Sequence, residues 1–389
     1  MRGIVKRESA LCHPFQGDHV NTEIPCLAIT GGPCGGKTTS LCYIEEKLRD
    51  RGYAVFVVKE SATELMTSGV TPSSGLFSEH EFQSFVLRRI LETEAFYKTA
   101  ARLPKSSKKV IICDRGVMDG LAYMNETLFQ RILSEQGLSI VDARDARYDA
   151  VFHLRSAALG AEAFYSSATN AVRRETPEEA REKDERTLAA WLGHPHVHVI
   201  DNSTDFDGKL KRLFQKVCFT LGIPVPMEIE RKFFVAKDFD PHTLPVPFQE
   251  IEITQAYLPA SGHNEVERIR KRGQDGAFVY YHTRKTRVAD AGAFRSIEVE
   301  RHISREEYER LFAARDPSHG VIKKSRFCFE WQNLYFELDE FHAPREDLRI
   351  LEVELTDDGD SVIIPEFIPV LGECRNFTNE GLARGTLSL

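Results

Sequence analysis

The stretch CLAITGGPCGGKTTSLCYIEEKLRDRG, residues 26–52, decides the first half of the chain. CLAIT (26–30) carries no charge, as suits a strand buried on both faces. SLCYIEEKLRDRG (40–52) has the spacing of a helix. Between them, GGPCGGKTT (31–39) sets Gly31, Gly36, Lys37 and Thr38 at the G-x-x-x-x-G-K-[ST] spacing of a phosphate-binding loop. Glycines let successive backbone N–H groups curl around a phosphate, and the helix N-terminus adds positive potential. Gly31, Gly32, Pro33, Cys34, Gly35, Gly36, Lys37, Thr38 and Thr39 are therefore the expected cradle. Lys37 is expected to reach the β and γ phosphates, and Thr38 to ligate Mg²⁺.

Outward from this loop, strands and helices alternate. YAVFVVKE (53–60), KVIICD (109–114), AVFHL (150–154) and VHVID (197–201) read as further strands. A helix is expected from Ser78 through FQSFVLRRILETEAF. Thr176-Pro177-Glu178-Glu179 forms a capping box with proline at the first helical position. A last helix runs from about Asp205 to Leu221 and closes at Gly222. Such alternation means a parallel sheet covered by helices, with ligands at the carboxyl ends of the strands. Asp114 ends one strand, where an acid can hold Mg²⁺ or its water, and Arg115 follows it. Glu60 ends another, placed to take a proton from a hydroxyl or to serve as a helix cap. Asp201-Asn202 follows the last strand and is a weak base-contact signal. His194, His196 and His198 alternate in HPHVH without a familiar zinc spacing, so they read as a loop entering a strand.

Composition bounds the rest. With 389 residues, two domains are the natural expectation. Residues 1–223 carry 29 basic and 29 acidic side chains, while 224–389 carry 22 and 30, which accounts for the whole net charge of −8. That balance argues against general nucleic-acid binding. The 8 cysteines form no C-x-x-C pair and read as reduced thiols of a cytoplasmic protein. No apolar run approaches the ~20 residues of a membrane span. Residues 1–23 read as a mobile extension, 24–222 as the first domain and 223–389 as the second, with GIPVP (222–226) as a stiff hinge.

The second domain changes pattern to strands with charges at i, i+2. EIERK (228–232) places Glu228, Glu230 and Lys232 on one face. Arg268 and Arg270, Thr283 and Lys285, Glu298 and Glu300, Lys324 and Arg326, Glu337 and Asp339, Glu352 and Glu354 repeat it. One such strand simply faces water, but seven in one domain point to a polar interior. Buried unpaired ions cost many kcal/mol, so a polyphosphate on the Arg and Lys and a metal on the carboxylates are the expected compensation. Ser304-Arg-Glu-Glu307 is a capping box, so a helix is expected after Ile303.

Several motifs carry a resemblance. GGPCGGKTT, KESATELMTSG, IICDRGVMDGLAYM and RRETPEEAR (173–181) resemble the P-loop domain shared by nicotinamide riboside kinase and the TRPL translocation defect protein. By that likeness Glu60 acts as base, Arg115 holds phosphate, and Arg173, Arg174 and Arg181 belong to a lid. EIERK resembles the Glu-x-Glu-x-Lys signature of the CYTH, or triphosphate tunnel, superfamily. That fold is an antiparallel eight-stranded β-barrel. The match continues through Gln255-Ala-Tyr257-Leu, Arg268-Ile-Arg270, Thr283-Arg-Lys285, Glu298-Val-Glu300, Arg326, Asp339 and Glu352-Val-Glu354, to FTNEGLA (377–383). The resemblance makes Lys232, Arg268, Arg270, Lys285 and Arg326 phosphate-side residues. It makes Glu228, Glu230, Asp339, Glu352 and Glu354 metal-side residues for Mg²⁺ or Mn²⁺. The domain order resembles the TRPL translocation defect protein family, which is associated with GTP, phosphoinositides and membrane-protein trafficking. The expectation is a regulator that binds GTP or ATP, with a polyphosphate or phosphoinositide head group in the tunnel and peripheral membrane contact. The alternatives are a tunnel triphosphatase, a small-molecule kinase at the P-loop, or an adenylyl cyclase.

Overall fold

The computed structural model describes residues 24–162, 176–223, 229–259, 265–290, 293–355, 362–374 and 377–386. The extension 1–23, Arg173, Arg174 and Glu228 lie outside the described residues.

The first sheet is built from β1 (Cys26–Thr30), β2 (Ala54–Val58), β3 (Lys109–Asp114), β4 (Ala150–Leu154) and β5 (Val197–Ile200). All pairings are parallel, in the order β2-β3-β1-β4-β5. Alternate residues of β1 serve two cores. Leu27 and Ile29 meet α1 (Lys37–Arg49) and α7 (Phe206–Thr220) through Ile44, Leu48, Leu213 and Val217. Cys26 and Ala28 meet the other layer through Leu87, Phe129, Ile132 and Trp191. That layer comprises α3 (Glu79–Arg102), with the short α2 (Ser61–Thr67) packed beside it, the 3₁₀ turn Val117–Ala122, α4 (Glu126–Glu135), α5 (Ile140–Arg144) and α6 (Pro177–Trp191). A strand buried on both faces has no polar side to show, which is why β1, β2 and β3 read as apolar runs between their ends, while β4 and β5 each carry one histidine, His153 and His198. The expected caps are present: Ser78 closes a capping box on α3 and Thr176 one on α6.

The second sheet has nine antiparallel strands. They are β6 (Ile229–Val235), β7 (Phe248–Tyr257), β8 (Glu265–Gln274), β9 (Ala277–Asp290), β10 (Ala293–Ile303), β11 (Ile322–Trp331), β12 (Leu334–Ala343), β13 (Arg349–Leu355) and β14 (Val370–Glu373). Their order is β10-β9-β8-β7-β11-β12-β13-β6-β14. The expected closed eight-stranded barrel is not formed: no described pairing joins β10 to β14. β14 is a four-residue, mostly exposed strand with a register shift between Val370 and Gly372, and a short bulged edge ends pairing instead of extending it. The sheet nevertheless curves. β6 and β8 are separated by four strands, yet Phe234 and Val266 pack on one cluster with Phe377 and Leu382 of the C-terminal segment, which includes α9 (Asn379–Arg384). The helix expected after Ile303 is α8 (Arg305–Ala313), capped by Ser304.

Register confirms that the charges share one face. Glu352 stands opposite Lys232 and Glu354 opposite Glu230. Arg326 stands opposite Asp339, and Glu337 opposite Glu352. Across β8 to β10, Arg268 faces Thr283, Lys285 faces Glu298 and Thr283 faces Glu300. On β6, β11, β12 and β13 the opposite face is apolar and equally buried, with Phe233, Phe327, Phe329, Phe336 and Leu338 under Leu244 and Ile368, whereas on β8 and β9 it carries Glu267 paired with His282 and Arg284.

Candidate functional site

The phosphate loop leaves the carboxyl end of β1. Gly31 sits at φ 135°, and a Cβ there would come within 2.1 Å of the Leu154 carbonyl oxygen, so only glycine fits. Gly36 at φ 84° caps α1, which begins at Lys37. The Lys37 Nζ folds back to donate to Gly31 O (2.9 Å) and Gly32 O (2.8 Å). Burial, and next the Arg115 charge, bring its pKa down to about 7 against the pull of Glu60, Asp114 and Asp119. Thr38 and Thr39 are exposed at the loop's outer end.

Asp114 and Arg115 follow at the end of β3. Asp114 Oδ1 is buried with no hydrogen-bond partner. Burial and the nearby Glu60 push its pKa up to about 6, with Lys37 and Arg115 opposing. Arg115, at φ 70°, turns its guanidinium to Glu60 (Nε–Oε1 2.6 Å), to Asp119 (Nη1–Oδ1 3.0 Å) and to Gly31 O (3.3 Å). Burial alone would raise the Glu60 pKa, but the Arg115 guanidinium and the Thr63 hydroxyl hold it below its ordinary value. Lys37, Glu60, Asp114 and Arg115 are thus one cluster, as the strand ends imply.

Two members of this site were missed by sequence reasoning. Asp119 is buried and accepts from Thr30 Oγ1, Arg115, Gly116 N (2.9 Å) and Trp191 Nε1 (3.2 Å). Its only local signal is the spacing Asp114-Arg115-x-x-x-Asp119. Asp184, buried in α6, accepts from Gly32 N (2.8 Å) and Ser156 N (2.9 Å) and pairs with His153 (3.2 Å) and Arg155 (3.1 Å). No sequence pattern marks it. Arg181 is bound to Ala158 O (2.7 Å) and Glu178 (3.3 Å). Asn202 is consumed by Ser156 O, Leu159 O and Lys209, and Asp201 by Ser203 and Arg212. The base-contact signal at that pair therefore marks a structural turn. His194 donates from Nε2 to Tyr148 O (2.9 Å) and accepts at Nδ1 from His196 N (3.0 Å), which fixes one neutral tautomer.

The sheet's charged face is a network of mutual pairs. Arg326 binds Asp339 with two nitrogens, Glu352 at 2.9 Å, and Glu337. Lys324 also binds Asp339, and Lys232 bridges Glu230 (3.0 Å) and Glu352 (3.1 Å). Arg270 pairs with Glu300 (2.8 Å), which also accepts from Thr283 (2.6 Å). Burial opposes the charge on Glu352, but Lys232 and then Arg326 outweigh it and hold the pKa well below the carboxylate range. Arg268, Lys285 and Glu354 lie on the same face by register.

Metal fit differs between the two places. The unpartnered Asp114 Oδ1 suits a hard cation or its water, and Thr38 stands in the first turn of α1. On the sheet, Asp339 and Glu352 already spend their oxygens on Lys and Arg. Among the described residues no group of three or more His, Cys, Asp or Glu is arranged to hold a metal. Also among the described residues, the seven cysteines are unbridged and no helix is long and apolar enough to cross a membrane. A cavity of about 490 Å³ lies between α4, α5, α6 and the second sheet, lined by Arg144, Gln249, Glu250, Gln274 and Asp275 among others, and none of its lining residues belongs to either cluster.

Residues 26–209, somewhat under half of the chain, match the family described as AAA domain. No curated protein matches the chain. Among solved structures, the inorganic triphosphatase NE1496 is similar at 25% identity over 40% of this chain and 94% of that chain, with a TM-score of 0.30. A second structure of NE1496, described as a hypothetical protein, gives 26%, 40%, 97% and 0.29. The PH1012 protein from Pyrococcus horikoshii OT3 gives 24%, 34%, 80% and 0.26. At these TM-scores the likeness carries nothing about function.

Proposed function

We propose that this protein binds GTP or ATP with Mg²⁺ at the phosphate loop, holds a second phosphate-bearing anion on the charged face of the sheet, and acts as a regulator. One observation carries the reading: Lys37, folded onto Gly31 and Gly32 at the N-terminus of a 13-residue helix, lies within electrostatic reach of Asp114, whose Oδ1 is buried without a hydrogen-bond partner. That arrangement offers backbone N–H groups and an ammonium to phosphate, and a carboxylate to the cation. Asp114 and Thr38 would hold the metal, whose chemistry is to screen phosphate charge. Arg115 and Arg181 are the basic groups placed near the loop, with Arg173 and Arg174 proposed to join them.

On the sheet, Lys232, Arg268, Arg270, Lys285 and Arg326 are the anion-side groups. An anion there has to draw these cations from Glu230, Glu300, Asp339 and Glu352. Glu230 and Glu354 stand opposite each other in register, and like charges in that relation repel, which favours a cation beside them. A polyphosphate or a phosphoinositide head group supplies the required charge. The resemblance to the TRPL translocation defect family supports trafficking or signalling as the setting, with peripheral contact to a membrane.

A second reading, phosphoryl transfer to a small hydroxyl compound at the P-loop, is favoured by Asp114. Its raised pKa of about 6 suits a proton acceptor near neutral pH, whereas Glu60 is tied to Arg115. Phosphate release from ATP, GTP and inorganic tripolyphosphate with Mg²⁺ or Mn²⁺ decides between them, alongside direct nucleotide binding. The expected result is binding lost in Lys37→Ala with little turnover. Turnover in the ordinary enzyme range of ~1–1,000 s⁻¹ would replace the regulator with a kinase or triphosphatase. Loss of that turnover in Glu230→Ala/Glu354→Ala, and not in Lys37→Ala, would place it on the sheet.

A further inference from the structure

Asp184 is a carboxylate buried in the middle of α6. An ion there is tolerated only with full compensation. It has four partners. Oδ1 accepts from Gly32 N and Ser156 N, while Oδ2 meets His153 and Arg155. Burial would raise its pKa, but His153 and then Arg155 hold it far below the ordinary value. Gly32 is therefore pinned from both sides: its N–H by Asp184 and its carbonyl by Lys37. Its Cα presses so closely on the carboxylate that a Cβ would come within 2.6 Å of Asp184 Oδ1.

Arg155 has other obligations. Its Nε donates to Asn333 Oδ1 (2.9 Å) and its Nη2 pairs with Glu330 (3.0 Å). Both residues sit at the tip of the β11–β12 hairpin, in the other half of the chain. Gln332 (φ 49°) and Asn333 (φ 65°) form its left-handed two-residue turn, the geometry that suits strand twist. The same two strands carry Lys324, Arg326, Glu337 and Asp339, the centre of the charged network. Tyr335, just past the tip, adds hydrogen bonds to Gly193 N (3.0 Å) and His194 O (3.2 Å), so the hairpin is firmly seated. The physical path is short: charged strands, hairpin tip, Arg155, Asp184, Gly32.

We propose that Asp184 is a positioning residue for the phosphate loop, and that Arg155 makes its setting depend on the β11–β12 hairpin. The nucleotide part of this inference rests on the nucleotide reading above. Binding at the loop and the state of the hairpin are then linked, and linkage is reciprocal. Movement of the hairpin pulls Arg155 and frees the Gly32 peptide, while nucleotide at the loop alters the hairpin tip.

The test uses the full chain as wild type, Asp184→Asn, Lys37→Ala and the hairpin-tip variant Glu330→Gln/Asn333→Gly. Glycine keeps the left-handed turn, so the tip variant preserves the fold should Asp184→Asn fail to. Hydrogen exchange of residues 31–39 is measured without nucleotide, and affinity for ADP and for GDP, each bearing a fluorescent methylanthraniloyl group, with Mg²⁺. We expect loop exchange to rise about 5-fold or more in Asp184→Asn and about 3-fold in the tip variant, with affinity falling by similar factors. ADP should also slow exchange at residues 328–336 in wild type and not in Lys37→Ala. Loop exchange and affinity in the tip variant equal to wild type would overturn the proposal while leaving nucleotide binding intact. Absence of both ADP and GDP binding in wild type would sink the nucleotide reading and the linkage to it, and loop exchange in the tip variant would still decide the clasp.

Discussion

Arg326 and Asp339 stand opposite each other on β11 and β12 and pair through two nitrogens and two oxygens, with Nε–Oδ1 and Nη2–Oδ2 both 2.7 Å. Asp339 is fully buried and Arg326 nearly so. Removing one partner of a buried pair leaves an uncompensated ion and costs about 3–5 kcal/mol. Asp339→Ala, which takes the carboxylate from Lys324 and leaves Arg326 with only Glu337 and Glu352, should therefore lower unfolding stability by about that amount in urea titration. A loss under about 1 kcal/mol would mean that water or another carboxylate replaces the partner.

Nucleotide binding should move protons, and the sign should change with pH. Free Lys37 has a pKa of about 7, and a bound polyphosphate raises it. At pH 8 binding should take up close to one proton. At pH 6 Lys37 is already charged, while Asp114, with a pKa of about 6, is half protonated and loses its proton to the buffer when a cation binds. Calorimetry in buffers of different ionisation enthalpy should show uptake at pH 8 and release at pH 6. Uptake should vanish in Lys37→Met if that variant still binds.

The histidine-rich junction should make the protein acid-sensitive above the carboxylate range. Burial brings the His194 pKa from 6.5 to about 3, and lowers His196 and His198 too. The unfolded chain takes up protons below pH 6.5 and the native state does not, so this stability is present above that pH and lost as pH falls toward 3. Each such group contributes a slope of up to about 1.4 kcal/mol per pH unit. Between pH 6 and pH 5, His194→Gln should flatten the stability–pH curve by roughly that slope. An unchanged curve would place the acid sensitivity elsewhere.

Gly31→Ala should cost nucleotide affinity before it costs the fold. The added Cβ strikes Leu154 O in a backbone region closed to alanine, a strain of about 1–3 kcal/mol. The loop can relieve it by moving off β4, so affinity should fall about 10-fold or more with secondary structure preserved by circular dichroism. Wild-type affinity in this variant would mean that the loop does not hold the phosphates.

Much of the fold is legible because its signals are local. Gly31, Gly36 and Lys37 fix the cradle through backbone freedom and spacing within seven residues. The end of β3 places Asp114, and the period of two along β6 to β13 puts Lys232, Arg326, Asp339 and Glu352 on one face. The closed barrel was misjudged because closure depends on how the first and last strands meet, and the bulge beside Gly372 is invisible to alternation.

The sequence alone determined where phosphate chemistry is possible, since residue type, turn freedom and side-chain period are properties of the covalent chain. Only the tertiary structure decided which charges are answered. Asp184 meets Gly32 across 152 residues, and Arg155 meets Asn333 across 178. The energy of a buried ion depends on the donors that fold around it, and no local pattern in a chain records which distant segment will supply them.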